Sequence, residues 1–160
     1  MNYFLFTGAV NVGKTETVWR LAQHLMGKGF LDLQNKVPPA GNPQSDFCAL
    51  LQGTNSVGQR IQIIVNSAMD IEQNIDDLVA FCQTNIPYDM IISSARCEGY
   101  PIRNYFYTKL RINQLNDYVL ELPMASISAN HKNFILKRQW YRNKIDNIAR
   151  QLLAGFPFRI

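Results

Sequence analysis

The chain has 160 residues, with 16 lysines and arginines against 12 aspartates and glutamates, for a formal net charge of +4. At 47% hydrophobic and 18% charged, without a low-complexity run, it is neither disordered, collagen-like nor a disulfide scaffold. It reads as one domain over residues 1–160, long enough to bury a core without covalent or metal staples.

In chain order, Tyr3-Phe4-Leu5-Phe6-Thr7 is a short aromatic and apolar run closed by Gly8, which predicts a buried strand. After a Gly-flanked turn, residues 15–26 place Val18, Leu21, Ala22 and Leu25 on one helical face, with Gly27 and Gly29 as the stop. Residues 31–46, punctuated by Pro38-Pro39 and Gly41-Asn42-Pro43, read as loop. Residues 47–52 and 60–66 read as two strands of an antiparallel hairpin around Gly53 to Gly58. Residues 71–84 follow a helical period, with Asp70 as the expected N-cap. Pro87 precedes a fourth strand at 88–93, and Pro101 suits the start of a helix running to about Asn113. Residues 118–122 predict a fifth strand. The last helix is expected over about 132–153, with Phe134, Tyr141, Ile145, Ile148 and Leu152 as its apolar stripe. Strand and helix alternate, which indicates an α/β layered fold with a mainly parallel sheet.

Cys48, Cys82 and Cys97 are widely spaced, form no C-x-x-C pair and lie near neither histidine. A zinc site is not expected, and reduced thiols of a cytoplasmic protein are. No apolar stretch approaches the ~20 residues of a membrane span, and residues 1–10 lack the pattern of a signal peptide. The charge is unevenly spread. Residues 1–98 carry six basic and nine acidic side chains, and residues 99–160 carry ten and three. A basic C-terminal third can face an anion or simply water.

The segment Gly8-Ala9-Val10-Asn11-Val12-Gly13-Lys14-Thr15 has a glycine, four free positions, then Gly-Lys-Thr, between a buried strand and an amphipathic helix. Gly8 lets the backbone leave the strand, and Gly13 leaves room for close approach. Amides near Asn11, Val12, Gly13 and Lys14, with those of Thr15 and Glu16, can converge on phosphate at the positive end of the helix. Lys14 supplies a point charge, and the Thr15 hydroxyl suits Mg²⁺.

On this motif the chain resembles the P-loop nucleoside triphosphatase superfamily. The resemblance implies a three-layer sandwich with a mainly parallel sheet of about five strands and one antiparallel hairpin strand. It also implies a nucleoside triphosphate with Mg²⁺. Asn143-Lys144-Ile145-Asp146 spells a guanine-recognition string, but it falls inside the last helix, and no Asp-x-x-Gly occurs, so ATP is expected rather than GTP. Walker B departs from the family pattern: the strand ending at Asn66 has its nearest acid four residues late, at Asp70, and the strand ending at Ser93-Ser94 has none. Asp70 is therefore the candidate for Mg²⁺ or the attacking group. Asp46 is a second candidate, for Mg²⁺ or as a base toward a hydroxyl. Asp89 starts its strand, at the wrong end for a ligand.

Arg96 and, less centrally, Arg103 are candidates for gripping phosphate. The last helix carries Lys132, Lys137, Arg138, Arg142, Lys144 and Arg150 beside Trp140 and Tyr141. This is a nucleic-acid cue, though the charges spread round the helix as on a solvated face. Two functions are expected. One is Mg²⁺-dependent phosphoryl transfer from ATP to water or a small molecule. The other is a nucleotide-binding switch or adaptor with little turnover that docks a partner or nucleic acid through its basic C-terminal half.

Overall fold

A computed structural model describes residues 1–39, 45–126 and 134–160. Its elements are β1 (Asn2–Thr7), α1 (Lys14–Gly27), β2 (Leu31–Asp32), β3 (Cys48–Thr54), β4 (Arg60–Asn66), α2 (Glu72–Thr84), β5 (Met90–Ala95), α3 (Pro101–Lys109), β6 (Tyr118–Pro123) and α4 (Phe134–Ala154). They build an α/β domain around one sheet of order β2-β3-β4-β5-β1-β6.

β1 lies between β5 and β6, parallel to both, and β4 is parallel to β5. β3 is antiparallel to β4 and β2 to β3. The sheet is therefore mixed rather than mainly parallel, and it has six strands where about five were expected. The missed strand, β2, is two residues long in a segment that reads as loop, too short for any periodicity to show. The hairpin itself is as expected. Its turn is held by Asn55, whose Oδ1 accepts from the Val57 and Gln59 amides at 3.1 and 2.9 Å.

A strand covered on both faces reads as a continuous apolar run, and β1 shows why. Phe4 and Phe6 face Val18, Leu25, Ile145 and Leu153 of α1 and α4. Tyr3 and Leu5 face Ile75, Leu78 and Phe106 of α2 and α3. Helices thus cover both faces of the sheet.

Several boundaries and one stripe position differ from expectation. α2 starts at Glu72 without a side-chain cap. Asp70 does not cap it, because its carboxylate lies 3.1 Å from Arg96 Nη2 instead. β5 begins at Met90, two residues later than expected, since Asp89 closes the sheet's lower edge with two bonds to the Gln62 backbone at 2.8 and 2.7 Å. α3 stops at Lys109 rather than near Asn113, where Arg111 turns left-handed at φ 54°. On α4 the inward positions are Ile145, Ala149 and Leu153, with Tyr141 and Leu152 partly buried, whereas Ile148 is 41% exposed. The expected helix start at Lys132 and the Phe134 side chain lie outside the described residues. No helix among the described residues is long and apolar enough to cross a membrane.

The order of the strands places the crevice. After β1 the chain leaves along α1 toward β2–β4, and after β5 it leaves along α3 on the opposite face toward β6. The connections diverge at the carboxyl ends of β1 and β5, where open α/β sheets hold their ligands.

Candidate functional site

The 8–13 loop bridges β1 and α1 at that crevice. The Gly8 amide bonds Ala95 O at 3.3 Å, tying the loop to the end of β5. A Cβ on Gly8 would stand 2.9 Å from Val12 Cγ2 and 3.1 Å from Met124 O, so only glycine lets loop and β6 end approach this closely. Asn11 and Gly13 are left-handed, at φ 61° and 90°. α1 has no side-chain cap among the described residues, so its first N–H groups stand as donors at the positive end of the dipole, on the crevice side. Thr17 anchors the turn by donating its amide and its hydroxyl to Gly13 O, both at 3.0 Å.

Lys14 is 7% exposed. Its Nζ donates back onto the loop, to Gly8 O at 3.1 Å and Ala9 O at 2.6 Å. Burial pulls its ammonium below the ordinary lysine range; the Arg96 charge adds to this, and Asp70 and Cys97 oppose it.

Thr15 donates its hydroxyl to Asp46 Oδ1 at 3.3 Å, with Ser67 O at 3.4 Å. Ser94 Oγ, at the end of β5, donates to the same carbonyl at 2.7 Å. Asp46 thus comes to Thr15 across 31 residues of chain, which no local pattern could have shown. Asp70 and Arg96 also come together, as the ion pair at the far lip of the crevice. The Arg96 side chain is 10% exposed, and its Nη1 has no hydrogen-bond partner among the described residues. A cleft of about 310 Å³ runs along Asn11, Lys14, Thr15, Ser67, Asp70 and Ser94. Behind Gly13 lies a second pocket, of about 330 Å³, walled by Val12, Met124, Tyr141 and Ile145. Tyr141 shapes its rim by accepting the Ala125 amide at 2.6 Å.

Arg103 and the 143–146 string both fall elsewhere. Arg103 does not face the crevice: it forks onto Glu121, with Nη1 2.8 Å from Oε2, and its Nη1 also reaches Arg96 O at 3.5 Å. It fixes the backbone that carries Arg96 rather than offering charge to a ligand. In the 143–146 string, Ile145 is buried and Asp146 is gripped by Arg20 at 2.7 and 3.0 Å. The string serves α4 packing.

Glu16 lines both cavities but turns its carboxylate toward arginines 20, 138 and 142 rather than into the loop. Arg138 and Arg142 were legible only as part of a basic helix; their i, i+4 spacing, repeated by Glu16 and Arg20 on α1, is the one local signal that pairs them. No group of three or more His, Cys, Asp or Glu side chains that could hold a metal occurs among the described residues. A comparison with family models, curated proteins and solved structures finds no match. The chemistry therefore rests on the crevice itself.

Proposed function

We propose that the crevice binds a nucleoside triphosphate with Mg²⁺ and that the protein acts in phosphoryl transfer, to water or to a small hydroxyl acceptor. The observation that carries this reading is the uncapped, left-handed Asn11–Gly13 junction, with Lys14 folded onto its carbonyls, at the diverging carboxyl ends of β1 and β5. The helices on both faces of the sheet agree with the P-loop arrangement that the motif suggests.

Loop amides and Lys14 would take the β- and γ-phosphates. Mg²⁺ keeps most of its waters and needs only one or two protein oxygens beside phosphate, so the absence of a three-acid cluster is no obstacle. The Thr15 hydroxyl and the Asp46 carboxylate fit that demand, being adjacent and on the crevice side. Asp70, the Mg²⁺ candidate from the sequence, is instead engaged by Arg96, and the pair suits placement of the acceptor and of developing charge. The bound ion would neutralise charge on the phosphates; the chain's own part is positioning and electrostatic stabilisation. The 330 Å³ pocket would take the base between Tyr141, Met124 and Ile145. With Asp146 occupied by Arg20, nothing there selects guanine through the 143–146 string, which favours ATP.

A switch or adaptor with little turnover is the second reading. It is favoured by the ends of β4 and β5, where Asn66, Ser67, Ser93 and Ser94 stand and no carboxylate does. A thermal-shift panel of ATP, GTP and tripolyphosphate with and without Mg²⁺, followed by phosphate release, tests both. Stabilisation by ATP·Mg²⁺ that is lost in Lys14→Met is expected. Release of phosphate selects the enzyme, and binding without release selects the switch. No stabilisation by any of the three ligands would refute the site.

A further inference from the structure

Glu16 is an odd residue to find beside a polyphosphate cleft. A carboxylate in a first helical turn complements the dipole, yet here it lies one residue from Thr15 and repels any anion bound there. Its surroundings supply a reason. Arg20 Nη1 stands 3.1 Å from Oε1, Arg138 Nη2 stands 3.5 Å from Oε2, and Arg142 bonds Oε2 directly.

The three arginines are not equivalent. Arg20 has a second carboxylate besides Glu16: Asp146 takes its Nε and Nη2 in a bidentate grip, and the Thr17 hydroxyl accepts from Nη2 at 3.1 Å. Its Nη1 near Glu16 has no aligned hydrogen bond among the described residues. Arg138 and Arg142 have no other carboxylate partner among the described residues. Both line the pocket behind Gly13, and Arg138 also lines the cleft of Lys14 and Thr15, so it stands at the junction of the two cavities. Residues 135–140 are all exposed, so no packing fixes Arg138 there. Three guanidinium groups share two carboxylates, leaving one uncompensated positive charge beside Lys14. Burial and the Arg138 and Arg20 charges disfavour the charged form of Arg142, and Glu16 opposes them.

We infer that Glu16 is a positioning residue that holds Arg138 and Arg142 beside the cleft, and that a polyphosphate chain on the 8–15 loop displaces it as their counter-ion. This rests on the nucleotide reading and deepens it, since it makes ligand charge, rather than the base, the quantity that recruits α4. The exchange is favourable because phosphate oxygens match the guanidinium fork and carry more charge than one carboxylate. Glu16 sets the threshold: an anion must outcompete it, which discriminates tripolyphosphate and nucleoside triphosphate from monophosphate.

The test is titration calorimetry on the full chain with tripolyphosphate and with ATP·Mg²⁺, at two salt concentrations. Expected are an affinity gain of about 3- to 10-fold in Glu16→Gln and a loss of about 10-fold or more in Arg138→Ala/Arg142→Ala, with a shallower salt dependence in the latter. In the double-arginine background, the gain from Glu16→Gln should shrink to what repulsion alone supplies, clearly below the gain in wild type. If it raises affinity there as much as in wild type, simple repulsion is at work and the inference falls. It also falls if Glu16→Gln only lowers the melting temperature and leaves affinity unchanged, as a purely structural clasp between α1 and α4 would. Should the double-arginine variant fail to fold, Arg142→Lys, which keeps the charge but not the fork, replaces it and must still weaken binding. Binding that depends on Lys14 but ignores Glu16 overturns this inference alone. Absence of any binding to the wild type overturns the nucleotide reading with it.

Discussion

Replacing Gly13 separates the backbone requirement of the loop from every side-chain effect. The residue sits at φ 90°, and an ideal Cβ there meets nothing within 4 Å. Alanine therefore brings no clash with a neighbour, only the strain of an L-residue in the left-handed region, about 1 to 2 kcal/mol. For a chain of this size that corresponds to a fall in Tm of about 3 to 6 °C. Asparagine tolerates the same region better and should cost under about 1 kcal/mol. The strain is relieved if φ relaxes, but relaxation turns the Gly13 and Lys14 amides and carbonyls, including the Gly13 O that accepts twice from Thr17. Calorimetric melting, paired with ATP·Mg²⁺ titration, should show Gly13→Ala losing both Tm and affinity, and Gly13→Asn keeping most of its Tm. A Tm change under about 1 °C for alanine, or equal losses for both variants, would refute the assignment of strain to this junction.

Other outcomes follow from the same geometry. Lys14→Met should melt no lower than wild type at pH 7 while losing binding. Burial depresses the Lys14 pKa, so the charged form costs the folded state stability. That cost is full below the lowered pKa and is relieved as pH rises toward 10.5, so the gap between variant and wild type should narrow in alkaline melts. For the same reason ATP binding at alkaline pH should take up protons and weaken as pH rises, readable by calorimetry in buffers of different ionisation enthalpy. Asp146→Ala leaves Arg20 with Glu16 as its one remaining carboxylate among the described residues and should cost about 1 to 2 kcal/mol, whereas Asn143→Ala and Lys144→Ala, both exposed, should change neither stability nor ATP-over-GTP preference. Burial raises the Glu121 pKa, but bonds from Arg103 and Tyr107 outweigh it and hold it below 4.5. Its stabilising contribution is present above 4.5 and lost as pH falls through the lowered value, so Glu121→Gln should flatten the acid limb of the stability curve.

What the chain declares locally is what short-range physics controls. The alternation of strands and helices, the hairpin over β3 and β4, and the strand–turn–helix of residues 3–26 are written in apolar periodicity and turn residues that act within a few positions. So is the pattern of Gly8, Gly13, Lys14 and Thr15 that marks the β1–α1 junction as the candidate site, because a glycine-rich helix start leaves backbone N–H groups without intrahelical partners. Tertiary structure decided everything that depends on pairing across the sheet or between helices. β2 exists because Leu31 and Asp32 find Leu51 and Gln52, not because of any pattern of their own. Asp46 reaches Thr15, Asp70 is diverted from the α2 cap to Arg96, and Arg103 is taken by Glu121. Glu16 meets Arg142 across 126 residues. Charged side chains are long and find partners by proximity in space, so their roles were settled only when the strand order brought the carboxyl ends of β1, β4 and β5 to one edge and laid α4 beside α1.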